Sequence, residues 1–229
     1  MTATTQPDAA PAWLSELAGA VTGMAVPPLL RPPPAGTGRP SAVLLLFGQT
    51  ADGPDLLIVQ RSAQLRHHAG QPAFPGGAIE PSDDGPVGAA LREAGEEVGT
   101  DPAGVDVLAV LPELFISRSG FRVTPVLGWW RRPSPVRAGK DGEIDSAVRV
   151  KLADLADPAN RLMVRHPSGS VGPAFRLHGM LIWGFTAALV DRLLALSGWE
   201  RPWERDRLED LPADALRPAV SGGRDAAAG

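Results

Sequence analysis

The run LREAGEEVG at positions 91–99 constrains this chain more than any other segment. At 3.6 residues per turn, Glu93, Glu96 and Glu97 share one face of an α-helix, and the apolar residues at 87, 91, 94 and 98 share another. Such a helix buries one side in a core and presents its carboxylates beside that core. Carboxylate repulsion opposes the helix by about 0.2–0.5 kcal/mol per i,i+4 pair, and Gly95 by about 1 kcal/mol. Most acidic helical faces are solvated surface, so the surrounding sequence must decide the role of this one.

The surrounding sequence favours a metal site. FPGG at 74–77 precedes the helix, and its consecutive glycines permit a tight turn that brings backbone carbonyls beside the carboxylates. The chain has no cysteine, which excludes disulfides, thiolate metal sites and cysteine nucleophiles. Carboxylate and carbonyl oxygens suit Mg²⁺ or Mn²⁺, whose octahedral shell is completed by water and substrate phosphate. The segment therefore predicts a site for phosphate chemistry with Mg²⁺ or Mn²⁺ as the cofactor.

Charge and hydropathy argue against several other classes of protein. With 22 basic and 26 acidic residues the formal charge is −4, which argues against binding nucleic acid or anionic lipid through bulk charge. The most apolar stretch, 179–190, has 12 residues, well short of the roughly 20 that cross a bilayer. The first residues, MTATTQPDAA, do not have the pattern of a secretory signal. We therefore expect a cytoplasmic protein with a small-molecule substrate and no nucleic-acid or membrane partner.

Apolar patterns along the chain predict both strands and helices. AVLLLFG and DLLIVQR flank the turn ADGPD as a β-hairpin, and VDVLAVLPELF, FRVTPVLGWW and EIDSAVRVKLADL have the composition of strands. Helices are predicted over 11–22, 87–98 and 179–196. Without a regular βαβ repeat, this order indicates an α/β fold in which helices cover a mixed sheet. We expect one domain at 39–198, preceded by a helix and Pro-rich connector at 1–38 and followed by a polar, loosely ordered tail at 199–229.

The segment GGAIEPSDDGPVGAALREAGEEVG, which contains the acidic helix, resembles the Nudix box. The match is strong at the Arg-Glu-x-x-Glu-Glu core and at Gly99, whereas Asp84 stands where the box has its first glutamate. The resemblance implies the Nudix α/β/α sandwich, with a mixed β-sheet between helices. The residues that it implies as metal ligands are Glu93, Glu97, Glu96 and the carbonyl of Gly77. Those that it implies in catalysis are Glu96, Glu97 and Arg92, the last of which steers the carboxylates.

A second resemblance lies immediately upstream. RSAQLRHHAGQPAFPGG at 61–77 is similar to the additional motif of the coenzyme A (CoA) pyrophosphatase branch, and further matches occur in SGFRVTPVLG, DGEI and IWGFTA. This resemblance implies hydrolysis of the pyrophosphate bond of CoA or its derivatives, giving 3′,5′-ADP and 4′-phosphopantetheine. A homodimer is compatible with the sequence. The substrate-binding residues that the resemblance implies are Arg61, Ser62, Arg66, His68, Gln71, Phe74 and Gly76.

Alternatives stay open at this stage. The substrate is CoA or another diphosphate, such as ADP-ribose, NADH or an oxidised nucleotide, and a non-catalytic binding module of the same fold is a less favoured third hypothesis. Glu143, in the DGEI loop, is predicted to position or deprotonate the attacking water, or else to be a solvated acid beside Asp141 and Asp145. At least one of Trp129 and Trp130 is expected in the core, with stacking on adenine as the alternative.

Overall fold

A mixed eight-stranded sheet forms the centre of the computed structural model, which describes residues 9–26, 30–33, 37–64, 70–117, 119–137, 139 and 142–216. Strand β1 (Arg39–Thr50) pairs antiparallel with β2 (Gly53–Arg61) and parallel with β7 (Phe121–Trp130). The predicted hairpin and the mixed character of the sheet are thus confirmed. The outer strands are β8 (Ile144–Lys151) against β2, and β5 (Val105–Val110) and β6 (Leu114–Ile116) against β7.

The segment that contains FPGG lies between β1 and β2. These strands pair directly over four residues on each side of their shared turn. Beyond that point β3 (Pro72–Ala73) pairs with β2, and β4 (Gly76–Ala78) pairs with β1. Gly76 runs so close to β1 that an added Cβ would lie 2.7 Å from Cα of Val43. The sheet therefore opens around this segment, and only a glycine at position 76 permits the close approach.

Helices cover both faces of the central sheet. Helix α2 (Gly85–Val98) packs on one face through its apolar side. Helices α1 (Ala12–Thr22), α3 (Leu152–Ala156) and α4 (Gly184–Leu196) contribute to the core on the opposite face. Two apolar cores separated by one sheet make an α/β/α sandwich, so the predicted fold is confirmed. No helix among the described residues is long and apolar enough to span a membrane.

Local sequence sets both ends of α2. Pro86 lies in the first turn of the helix, where backbone N–H groups have no partner within the helix. The N–H that proline lacks therefore costs no hydrogen bond there. Gly99 adopts the left-handed conformation, with φ of 74°, at the C-terminal end. Its N–H donates to the carbonyl of Gly95, and the N–H of Thr100 donates to the carbonyl of Ala94. This tight stop leaves the final turn, with Glu97, inside the protein.

Trp129 and Trp130 belong to the two separate cores of the sandwich. These neighbours on β7 have 0% exposure, and they face opposite sides of the sheet because successive side chains of a strand alternate. The core interpretation is therefore confirmed for both residues. Neither indole is available to stack on an adenine.

Two predicted boundaries were wrong. Residues 152–155, predicted as the end of a strand, form part of α3. Helix α4 begins at Gly184 instead of 179, because β11 (Met180–Ile182) turns back on β10 (Val171–Leu177). His178 and Gly179 form the turn between these strands, with φ of 52° and 73°. Strand β11 has three residues, too few to show a period in the sequence.

A second sheet, of four strands in the described residues, holds the segment after α4. Strand β9 (Arg161–Arg165) pairs with β10 on one side and with β12 (Leu208–Asp210) on the other. Leu211 is buried in a small core with Leu162. The expectation of a loosely ordered tail was therefore wrong for 199–216, because a polar segment gains order by pairing with a strand distant in sequence. Residues 217–229 lie outside the described part of the chain.

Candidate active site

Glu97 is the most buried carboxylate of the acidic helix. Its residue exposure is 2%, and its Oε2 accepts a 3.0 Å hydrogen bond from the backbone N–H of Gly76. Its Oε1 lies 3.7 Å from Nη1 of Arg61. Burial raises the pKa of Glu97 to about 7, and the charges of Glu93 and Glu143 act in the same direction, against the lowering effects of Gly76 and Arg61. The charged form of this carboxylate is thus unfavourable in its buried position, and a cation beside it would stabilise that form.

Glu93 lies one turn earlier and contacts the second glycine of FPGG. A Cβ added to Gly77 would collide with Oε1 of Glu93 and lie 2.5 Å from its Cδ. Nη1 of Arg92 donates a 3.1 Å hydrogen bond to Oε1 of the same carboxylate. Burial raises the pKa of Glu93, and the charges of Glu96 and Glu143 add to the effect. Glu93 and Glu97 thus line the two consecutive glycines of one turn.

Arg92 organises the loop before α2. Its Nε and Nη2 donate to both oxygens of Asp83, at 2.9 and 3.0 Å, and Nη2 also donates to the carbonyl of Ala78 at 3.1 Å. Its hydrogen bonds lower the pKa of Asp83. Asp84, the residue aligned with the first glutamate of the box, precedes the helix and makes no capping hydrogen bond with its side chain. Asp83, and not Asp84, is therefore the acid that pairs with Arg92. Alignment with the box missed this residue, because two adjacent aspartates can be distinguished only once the start of the helix is known.

Glu96 is the most exposed of the three glutamates of α2. Its side chain is 55% exposed, and its Oε2 accepts a 2.9 Å hydrogen bond from Nη1 of Arg92. Among the described residues, no three acidic or histidine side chains converge into a complete metal site. The structure therefore brings together Glu93 and Glu97, with Glu96 connected to them through Arg92.

Glu143 lies at the site, far from the helix in sequence. Its Oε2 is 3.7 Å from Nη2 of Arg61, and its side chain is 51% exposed. Its carbonyl accepts a 2.7 Å hydrogen bond from the N–H of Ser62. The neighbouring Asp145 instead accepts a hydrogen bond from the N–H of Ala63, so its carboxylate fixes the loop. Asp141 lies outside the described residues.

The predicted substrate residues have different surroundings. Arg61 and Gly76 contact Glu97, as described above. Ser62 is buried and holds the loop through its backbone, and Gln71 donates a 3.3 Å hydrogen bond from Nε2 to the carbonyl of Ala215. Phe74 is 3% exposed and packs in the core below the FPGG turn, so its predicted contact with substrate is replaced by an anchoring role. Arg66 and His68 lie outside the described residues.

The residues present fit a divalent metal. The fold brings two carboxylates with raised pKa values against consecutive glycines, in a cradle that a single Cβ at position 77 would fill. Carboxylate and backbone oxygens are the donors that Mg²⁺ and Mn²⁺ prefer, and the small number of protein ligands leaves positions for phosphate and water. The geometry therefore suits a metal shared between protein and a phosphorylated substrate.

Comparison with known proteins identifies the family to which the chain is similar. The family model described as NUDIX domain matches residues 38–168. A protein of Citrobacter koseri named uncharacterized Nudix hydrolase NudL is 42% identical over 185 residues, 76% of this chain and 92% of its own length. The protein of the same name from Escherichia coli K12 is 40% identical over 171 residues, 72% of this chain and 85% of its own length.

A solved structure gives the same fold. The Nudix hydrolase RenU of M. smegmatis has a TM-score of 0.50 and 21% identity, covering 73% of this chain and 90% of its own. Divalent-metal dependence is general among Nudix hydrolases, and the carboxylates against FPGG fit that requirement. The extent of the family match and the identity to the two relatives establish that the chain belongs to the Nudix hydrolase family.

Proposed function

We propose that this Nudix hydrolase cleaves the pyrophosphate bond of CoA or its derivatives, giving 3′,5′-ADP and 4′-phosphopantetheine, with Mg²⁺ or Mn²⁺ as cofactor. One observation carries the proposal: both ends of the segment that resembles the CoA motif meet the carboxylate helix at Glu97. Arg61, at the start of the segment, lies 3.7 Å from Glu97, and Gly76, near its end, donates a hydrogen bond to the same carboxylate. The segment whose resemblance implies CoA as the substrate therefore lies against the carboxylate that is proposed to hold the metal.

The diphosphate determines what the site must do. It is polyanionic, and the attacking water must lie in line with the leaving phosphate. When bound, Mg²⁺ or Mn²⁺ neutralises charge on the phosphoryl oxygens and lowers the pKa of water. Glu93 and Glu97 hold the metal, and Arg92 keeps the carboxylates of Glu93 and Glu96 in place. Arg61 binds the diphosphate, as the planar guanidinium does well.

Glu143 is the proposed general base. Its carboxylate is half exposed and lies across Arg61 from Glu97, so it faces the site and remains accessible to solvent. In the reaction a bond forms between the water oxygen and one phosphorus, while the bond from that phosphorus to the bridging oxygen breaks. The proton of the water passes to Glu143 and then to solvent, and the bridging oxygen leaves on the other phosphate. Glu93 and Glu97 cannot serve as the base because they are engaged as metal ligands.

Product analysis by mass spectrometry tests the substrate. CoA, ADP-ribose, NADH and an oxidised nucleotide are each incubated with the protein and Mg²⁺ or Mn²⁺, and in parallel with EDTA or with Glu97→Gln. We expect 3′,5′-ADP and 4′-phosphopantetheine from CoA with metal, and neither product in the two controls. Preferential cleavage of another compound would transfer the assignment to that diphosphate. Binding of these compounds without any cleavage would favour the non-catalytic module.

A further inference from the structure

The guanidinium of Arg61 faces two carboxylates of the site at once. Nη1 lies 3.7 Å from Glu97 and Nη2 lies 3.7 Å from Glu143. Arg61 is the last residue of β2, Glu97 is in the last turn of α2, and Glu143 directly precedes β8. A single positive charge therefore lies between acids contributed by two other elements.

The two arginines of the site are held in different ways. Arg92 makes hydrogen bonds of 2.9–3.1 Å to three carboxylates and to a backbone carbonyl. Both ion pairs of Arg61 are longer than a hydrogen bond, and among the described residues its Nε is buried without a hydrogen-bond partner. A buried N–H donor without a partner is unfavourable. Arg92 is thus fixed in its place, whereas Arg61 retains donors for a further anion.

A divalent cation would change the electrostatic interactions of the Arg61 guanidinium. Without the cation, the guanidinium offsets part of the repulsion between Glu97 and Glu143. With the cation held at Glu97, a guanidinium 3.7 Å from the same carboxylate is repelled by the added double charge. The anion that then suits a planar guanidinium is the diphosphate, which it can bind through two parallel hydrogen bonds.

We propose that Arg61 is the resident counter-ion of Glu97 and Glu143, and that the divalent cation transfers its guanidinium from these carboxylates to the substrate diphosphate. The second half of this inference rests on the proposed function, whereas the first half concerns the protein without substrate. The cation and the diphosphate then strengthen each other's binding, because each favours the same position of Arg61.

Calorimetric titration of the substrate-free protein with Mn²⁺ tests the first half. Arg61→Gln and Arg61→Met remove the charge, and Arg61→Lys keeps it. Arg131→Gln, directly after β7, removes a partly exposed charge that pairs with Asp106 of β5, and serves as the matched control. Glu97→Gln removes a proposed metal ligand, so the heat of Mn²⁺ binding that is lost in this variant is the heat of binding at this site. We expect Mn²⁺ to bind about tenfold more tightly to the Gln and Met variants at position 61, and within about twofold of wild type to the Lys variant and the control.

Unchanged or weaker Mn²⁺ binding in the charge-removing variants would overturn the counter-ion role. If neither variant folds, side-chain NMR of the wild type decides: the Nε–H signal of Arg61, assigned by its loss in Arg61→Lys, should shift on addition of Mg²⁺. A signal that does not move would overturn the proposal equally. CoA is absent from these measurements, so their outcome is independent of whether CoA is the substrate.

Steady-state kinetics with CoA tests the second half. Arg61→Gln should raise KM by at least about tenfold and lower kcat by a smaller factor, because a contact to the diphosphate in both ground and transition state behaves in this way. A KM equal to that of Arg131→Gln would exclude transfer to the diphosphate and leave only the counter-ion role. If CoA is not hydrolysed at all, the proposed function fails while the Mn²⁺ result stands.

Discussion

The backbone N–H of Gly76 donates a 3.0 Å hydrogen bond to Oε2 of Glu97, 21 residues further along the chain. This contact joins the FPGG turn to the last turn of α2, and it directs a buried carboxylate toward the two glycines. Arg61 lies at the other oxygen of the same carboxylate. Glu97 is thus the residue at which the acidic helix α2 and the upstream segment 61–77 meet.

Burial of Glu97 gives the metal-free protein a characteristic pH dependence. Its pKa is about 7 in the folded protein, against 4.5 as the ordinary value, so the folded state binds more protons in this interval. The free energy of unfolding should therefore fall as pH rises from about 4.5 to above 7, by on the order of 3 kcal/mol from this group. Glu97→Gln should lack this fall. Urea denaturation of both proteins in EDTA at pH 5 and pH 8 measures it, and an identical pH dependence in the two would contradict the prediction.

Gly77 should tolerate no side chain. In Gly77→Ala the added Cβ would collide with the carboxylate of Glu93, so we expect weaker Mn²⁺ binding and a kcat lower by at least about tenfold. Gly88→Ala is the matched control, because its Cβ would come no nearer than 3.4 Å to any atom outside the helix backbone. That change should leave kcat unaltered and increase stability by about 1 kcal/mol. Equal activity of the two variants would show that Glu93 does not depend on the glycine.

The two aspartates before α2 should differ in their effect. Asp83→Asn removes the charge that holds Arg92, and we expect a kcat about tenfold lower because Arg92 also holds Glu93 and Glu96. Asp84→Asn should be mild, since that side chain makes no capping hydrogen bond. Kinetics of the two variants under saturating metal provides the comparison. A larger fall in kcat in the Asp84 variant would contradict this prediction and would indicate that Asp84 takes the role of the first glutamate of the box.

Glu143 and Asp145, which lie close together in the sequence, should also differ in their effect on catalysis. Glu143→Gln should lower kcat by about 10²-fold or more while leaving KM for CoA nearly unchanged, as expected of a general base. Asp145→Asn should have a small effect on kcat, because its carboxylate bonds to the backbone of the loop. Measuring kcat and KM for both separates the two roles. An unaltered kcat in the Glu143 variant would mean that this acid is solvated surface and that the base lies elsewhere.

The elements that surround the candidate site were predictable from the sequence because their signals are local. The 3.6-residue period identified the acidic face of α2, and FPGG identified the turn beside it. Which glutamate is buried depends on how α2 docks against Gly76, so Glu97 and Glu96 could not be distinguished by spacing. The surroundings of Phe74 were missed for the same reason, since its place in the core is set by helices from other parts of the chain.

The fold was predictable to a similar extent. The hairpin of β1 and β2 has long apolar strands and a recognisable turn, so composition and turn residues sufficed. Strands β3 and β4 have two and three residues and form only because β1 and β2 separate around them. Strand β12 is also three residues long, and its order comes from pairing with β9. Strands this short carry no period, so their presence depends on tertiary contacts that the local sequence does not encode.

Hydrolysis of CoA in ¹⁸O-labelled water, followed by mass spectrometry, tests the central claim most directly. With Mg²⁺ or Mn²⁺ the wild-type protein should give 3′,5′-ADP and 4′-phosphopantetheine, with one ¹⁸O atom on one of the two products, because the water oxygen forms the new bond to phosphorus. EDTA or Glu97→Gln should abolish both products. Recovery of intact CoA from the wild type with either metal, or equal product formation in EDTA, would contradict a metal-dependent CoA pyrophosphatase.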